Sequence, residues 1–154
     1  MIELIVVMTM LATIVAVAAP TLSRFFKGRV LENEARRMLA LTRYARSEAI
    51  SRSVLMELWI EPASGTYGLD PQAGYEFDDR KPVEFILADG LLFEVDDESL
   101  DAQGEAKILF WPDGSIDGES VEYVRILEDE ESVIEIAQAD YGLGYLIQSG
   151  ELGS

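Results

Sequence analysis

Glu3 stands at the edge of a stretch, Leu4 to Ser23, that carries no charge. About 20 residues rising about 1.5 Å each make about 30 Å of helix, enough to cross the hydrocarbon core of a bilayer. A carboxylate in such a segment costs about 2.5–3.5 kcal/mol at mid-membrane on insertion scales, so it calls for a cationic partner. The chemistry this predicts is an ion pair at the margin of a membrane, not catalysis. The chain holds no Cys and no His. That removes thiolate nucleophiles, disulfides, the commonest metal ligand and every Ser-His triad. No catalytic residue, no metal-ligand set and no cofactor is expected.

Two further groups of charged residues invite a functional reading and take a plainer one. Asp96-Asp97-Glu98 with Asp101, and Glu128-Asp129-Glu130-Glu131, are oxygen-rich, but neither has the spacing of a calcium-binding loop or its central glycine, so solvated loops are the better reading. Arg29, Arg36 and Arg43, spaced by seven, line one face of a helix, with no aromatic or motif context for nucleic acid. A solvated surface, or one facing another copy of the chain, accounts for them better. Residues 1–53 hold eight basic and four acidic side chains, a net of +4, whereas residues 54–154 hold four and 25, a net of −21. The second part is a poor partner for nucleic acid or anionic lipid. No nucleic-acid binding is expected.

These groups need elements to position them. Leu31, Ala35, Met38, Thr42, Ala45 and Ala49 fall on one face of a 3.6-residue repeat, and no Gly or Pro interrupts residues 29–53. The spacing predicts one helix from about Ile2 to about Ser53, bent or loosened at Pro20 and Gly28. Its alanine-rich stripe is expected to dock on the chain's own sheet. From Val54 the period changes to 2, with Met56, Leu58 and Ile60 alternating with Glu57, Trp59 and Glu61. Further strands are predicted at Thr66–Leu69, Val83–Leu87, Leu91–Val95, Lys107–Trp111, Val121–Leu127, Val133–Ala137 and Leu143–Gln148. Pro62-Ala63-Ser64-Gly65 and Pro112-Asp113-Gly114-Ser115 supply turns, and Ala88-Asp89-Gly90 is expected to close a hairpin. The reading is α+β: a transmembrane or assembly half-helix at 1–23, an amphipathic half-helix at 24–53, and an antiparallel two-sheet domain at 54–154. Ala16-Val17-Ala18 also fits the cleavage pattern of a secretory signal. A start of Met-Ile-Glu, without positive charge, and a long uncharged run fit a retained anchor better.

Ile2-Glu3-Leu4-Ile5-Val6-Val7, with Pro20 seventeen residues after Glu3, resembles the inner part of the class III signal region of type IV pilin-like proteins. Leu41 to Arg52, running straight into a strand, is similar to the helix of GspH/FimT-type minor pseudopilins. Phe110-Trp111-Pro112-Asp113-Gly114-Ser115 resembles that family's aromatic-Pro-Asp-Gly-Ser turn, and Gly142-Leu143-Gly144 its closing segment. The resemblance implies a pilin-like fold and a structural, non-enzymatic subunit of a type II secretion pseudopilus, placed at or near its tip. It implies assembly through Glu3 and Pro20, and a membrane helix presenting Leu4, Ile5, Val6, Val7, Leu11, Ile14 and Val15. The implied partners are other major and minor pseudopilins and the inner-membrane assembly platform. A prepilin peptidase would process the chain, with N-terminal methylation. The implied location is the inner membrane, single-pass, with the globular domain in the periplasm. Arg24, Lys27 and Arg29 alone favour the reverse orientation under the positive-inside rule, so the N-in orientation belongs to the resemblance. The alternative is a minor pilin of a type IV pilus or competence system, with a DNA receptor as its variant.

Overall fold

The computed structural model describes residues 1–72, 74, 82–130 and 132–149, without the side chains of residues 18–27 and 149. Arg80, Lys81 and most of the segment between the strands expected at Thr66–Leu69 and Val83–Leu87 lie outside the described residues. The chain divides into two compact units, Met1–Val30 and Leu31–Ser154.

The first unit is helix throughout, the opening part of α1 (Ile2–Arg52). Pro20 falls within α1, and its side chain is not among those described. The remainder of α1 belongs to the second unit, where the predicted stripe is buried: Ala35, Ala45 and Ala49 are fully enclosed, and Leu31, Met38 and Thr42 nearly so. Alanine at the contact points lets the helix axis approach the sheets closely, and the Thr42 hydroxyl is satisfied by the Leu39 carbonyl at 2.8 Å. The helix ends where Ser53 turns left-handed at φ 56° and the Val54 N–H returns to the Ala49 carbonyl.

Among the described residues eight strands follow. β1 (Met56–Glu61), β2 (Thr66–Pro71), β3 (Val83–Ile86) and β5 (Ala106–Phe110) form one antiparallel sheet in the order β3-β2-β1-β5. β4 (Leu92–Glu94), β6 (Tyr123–Leu127), β7 (Val133–Gln138) and β8 (Tyr145–Ser149) form another, in the order β4-β6-β7-β8. The alternation read in β1 holds, with Met56, Leu58 and Ile60 buried. They meet the helix stripe and the inward faces of both sheets, including Phe93, Val124, Ile126 and Ile136, in a single core.

The hairpin expected at Ala88-Asp89-Gly90 is not formed. β3 pairs with β2, and β4 pairs with β6 in the other sheet. The turn itself exists, with Gly90 at φ 85° and the Leu91 N–H on the Ala88 carbonyl. Both flanking leucines, Leu87 and Leu91, are buried. Leu87 follows β3 in one sheet and Leu91 precedes β4 in the other, so the turn carries the chain from one sheet to the other across the core they share.

Candidate functional site

Glu3 lies in the first turn of α1, where a carboxylate is favoured by the helix dipole. It is exposed and has no hydrogen bond or ion pair among the described residues. The apolar residues after it are exposed on every side of the helix, with Leu4, Ile5, Val6, Val7, Leu11, Ile14 and Val15 all between 58% and 64% accessible. An all-round apolar helix is one whose surroundings are apolar. Its polar side chains fit that environment. The Thr9 hydroxyl donates to the Ile5 carbonyl at 2.7 Å and the Thr13 hydroxyl to the Thr9 carbonyl at 2.8 Å, so neither leaves a donor unsatisfied. Among the described residues no helix is long and apolar enough to cross a membrane. The described side chains of this segment stop at Val17, whereas the uncharged sequence continues to Ser23.

In the second unit the conspicuous groups are two arginines that the stripe of every seventh residue did not single out. Arg37 donates from Nη2 to the buried Glu34 carboxylate at 2.5 Å and to the Ile86 carbonyl at 2.9 Å, and from Nε to the Tyr67 hydroxyl at 2.8 Å. Its guanidinium also lies 5.0 Å from the centre of the Phe85 ring. Burial pushes the Tyr67 phenol above its ordinary value, and Arg37 partly opposes that shift. Arg46 donates from Nε to the Gly114 carbonyl at 2.8 Å. Together they tie α1 to β2, β3 and the turn after β5. The sequence signal for Arg37 was the Glu34 three residues before it; Arg46 had none.

The expected turn at Pro112-Asp113-Gly114-Ser115 is present. Asp113 accepts from the Ser115 N–H at 2.9 Å and from its hydroxyl at 2.6 Å, which holds the Asp113 carboxyl below its ordinary range. Of the expected helix stripe, Arg36 pairs with Glu32 at 2.5 Å, and Arg43 is exposed with no partner among the described residues. The acidic loops cap turns. Asp96 accepts from the Glu98 N–H, and Asp129 from the Ser132 N–H at 2.7 Å. Asp101 accepts from the N–H groups of Gln103 and Glu105 and pairs with Lys107 at 3.0 Å. Among the described residues no cluster of three acidic side chains is placed to hold a metal ion.

Phe110 is fully buried, as core. Trp59 is half-buried and lies over Gly68, its register partner on β2, with its indole N–H on Asp70 at 2.8 Å. Trp111 is half-exposed, its indole N–H on Asp117 at 3.0 Å.

Residues 34–139 match the family described as Type II transport protein GspH. Among solved structures, the minor pseudopilin EpsH of the Vibrio cholerae type 2 secretion system superposes with a TM-score of 0.58 at 10% identity, over 77% of this chain and 96% of that one. A second crystal structure of that pseudopilin gives 0.56 at 12% identity, over 82% and 98%. The type IV minor pilin FimU of Pseudomonas aeruginosa gives 0.57 at 16% identity, over 82% and 92%. At these identities the likeness is one of fold. No protein in the curated collection matches.

Proposed function

Because the chain belongs to the GspH family of type II transport proteins, we propose that it is a structural minor pseudopilin of a type II secretion system. It enters a pseudopilus through α1 and presents its two-sheet domain at or near the tip. The observation that carries this reading is the exposed apolar start of α1 with an unpartnered carboxylate in its first turn. Bare to water, such a surface is a liability; among lipid tails and the helices of neighbouring subunits it is satisfied. Glu3 then supplies an anion for a cation of the adjacent subunit, the terminal amine of a processed chain being the fitting one, and Pro20 sets the path of the helix. The partners are major and minor pseudopilins and an inner-membrane platform, with a prepilin peptidase acting in processing. The chain sits in the inner membrane with its β domain in the periplasm, and it catalyses nothing itself.

The test is Glu3→Val in the secreting cell. Membrane insertion is expected to persist while crosslinking to the major pseudopilin and export both fall. Crosslinking at wild-type efficiency would overturn the role of Glu3. The type IV minor pilin FimU shares the fold, so a second reading as a pilus subunit stands beside the first. Deletion separates them: loss of protein export with intact surface pili supports the secretion reading, and the converse supports the pilus.

A further inference from the structure

The four sheet edges of the second unit are treated differently. On β5, the outer edge is covered by the chain's own residues 115–121. Asp117 N–H donates to the Leu109 carbonyl, Val121 N–H to the Lys107 carbonyl, and Leu109 N–H to the Ser120 hydroxyl. At β3, Arg37 occupies the Ile86 carbonyl. β4 is only three residues long. These are the usual ways of blunting an edge. β8 has none of them. Among the described residues it pairs with β7 alone, over five residues from Tyr145 to Ser149. The Gln138 N–H turns away to Glu122, and the Ala139 N–H takes the Gly144 carbonyl. By the alternation of an antiparallel ladder, Leu146 therefore exchanges its hydrogen bonds with Ala137, and the N–H and C=O of Tyr145 and Ile147 face outward. Those outward groups have no partner among the described residues.

Beside this edge lies a groove of about 340 Å³ between β8 and the last turns of α1. Ile50, Leu143 and Leu146 line it, each about half exposed, with Phe110 behind them. Among the described residues its charged lining residues are Arg43 and Arg46, and none is acidic. The groove is thus locally basic in a chain of net charge −17. Arg46 is committed to Gly114, whereas Arg43 is free.

We propose that the β8 edge and this groove receive an extended, mainly apolar segment of another protein that carries a carboxylate for Arg43. The incoming backbone pairs with Tyr145 and Ile147. Alternate apolar side chains enter the groove against Leu143, Leu146 and Ile50, and the carboxylate meets Arg43 at its rim. The open edge supplies affinity without sequence preference, and the arginine supplies the choice of an acidic strand over a basic one. This proposal rests on the second unit alone, so its failure leaves the assembly role of Glu3 standing.

The experiment uses the full chain in detergent micelles and four blocked octapeptides of alternating valine and threonine. The first has one central Glu, the second Gln, the third Lys, and the fourth is the Glu peptide N-methylated on alternate residues. The Glu peptide is expected to bind, to shift the amide resonances of Tyr145 and Ile147, and to slow their hydrogen exchange. N-methylation should abolish binding, and Arg43→Gln should weaken the Glu peptide by about tenfold, to the level of the Gln peptide, as loss of a charge-assisted hydrogen bond predicts. Leu146→Lys, which leaves the ladder intact, should weaken the Glu and Gln peptides together. Equal binding of the Lys and Glu peptides, or binding that leaves Tyr145 and Ile147 unshifted, would overturn the proposal. Self-association of the full chain that Leu146→Lys abolishes would assign the edge to a second copy instead, and would overturn it too.

Discussion

The Arg46 guanidinium reaches 68 positions along the chain to donate to the Gly114 carbonyl at 2.8 Å, so one bond locks the last turns of α1 to the turn after β5. Gly114 is at φ 84°, and a Cβ there would stand 2.9 Å from Ile50 Cδ1 and 3.1 Å from Arg46 Nε. Gly114→Ala is therefore expected to destabilise by about 1–3 kcal/mol through backbone strain and overpacking together. Arg46→Met should cost about 1 kcal/mol, the net worth of the lost hydrogen bond. Urea unfolding of the full chain in micelles, followed by tryptophan fluorescence, measures both.

A second close approach gives a sharper test. A Cβ on Gly68 would lie 2.5 Å from the Trp59 ring and 2.5 Å from the Val83 carbonyl oxygen. The ring can swing away, but the backbone of β3 cannot. Gly68→Ala should destabilise by about 1–3 kcal/mol or more, the usual range for overpacking, and Trp59→Leu should restore only part of it. Full restoration in the double variant would show that β3 yields.

Glu34 is the most buried carboxylate among the described residues, and Arg37 is its partner at 2.5 Å. Arg37→Met should cost about 1–3 kcal/mol by leaving a buried acceptor unpaired. Glu34→Gln in the same chain should return much of that loss, because an amide is less costly to desolvate than an anion. Thermal melts of the two single variants and the double close the cycle.

The Asp101 carboxyl is held below its ordinary range, first by the Glu105 N–H and then by Lys107. Its folded pKa is lowered, so its contribution is present above the unfolded value and is lost as pH falls through the folded one. Asp101→Asn should speed amide exchange at Gln103 and Glu105 near neutral pH. The difference from the parent chain should vanish in acid, below the ordinary carboxylate range. Lys107 is raised, first by the same Asp101, so its share is complete below its ordinary pKa and is lost in strong alkali.

Duplex DNA should not bind. Arg36, Arg37, Arg46 and Arg52 are already engaged within the chain, the last with Glu48 at 2.5 Å. At about 150 mM salt, where non-specific binders show dissociation constants near 10⁻⁴–10⁻⁶ M, a gel shift or polarisation assay should show none. Salt-sensitive micromolar binding lost on Arg43→Gln would promote the DNA-receptor alternative.

Much of this architecture was legible in the sequence because it rests on local periodicity. The stripe from Leu31 to Ala49 and the alternation of Met56, Leu58 and Ile60 each follow from side-chain spacing on one element. Turn residues marked the breaks at Pro62–Gly65, Ala88–Gly90 and Pro112–Ser115. What spacing cannot carry is which sheet a strand joins. Ala88-Asp89-Gly90 has the composition of a hairpin and acts as a crossover, because that choice is made by the pairing of β3 with β2 and of β4 with β6, strands that local spacing does not reveal. Arg46 and the long-range contacts of Arg37 were hidden for a similar reason. Their partners are carbonyls and a phenol tens of residues away, and a carbonyl has no sequence signature.

The crossover at Leu87–Leu91 sets an order of events when the chain is delivered N-terminus first. The first sheet can close once Phe110 has arrived. β4 cannot, because its neighbour among the described residues is β6, and the Glu94–Arg125 pair across them spans 31 residues. Until then Leu92 and Phe93 wait as an unpaired strand already tethered to a finished sheet. The second sheet then forms around that waiting strand, β6 first and β8 last, so a chain stalled partway holds a half-made domain with a sticky margin. Maturation of this domain is thus timed by the arrival of its final third, and an interrupted delivery is most hazardous between residues 95 and 123.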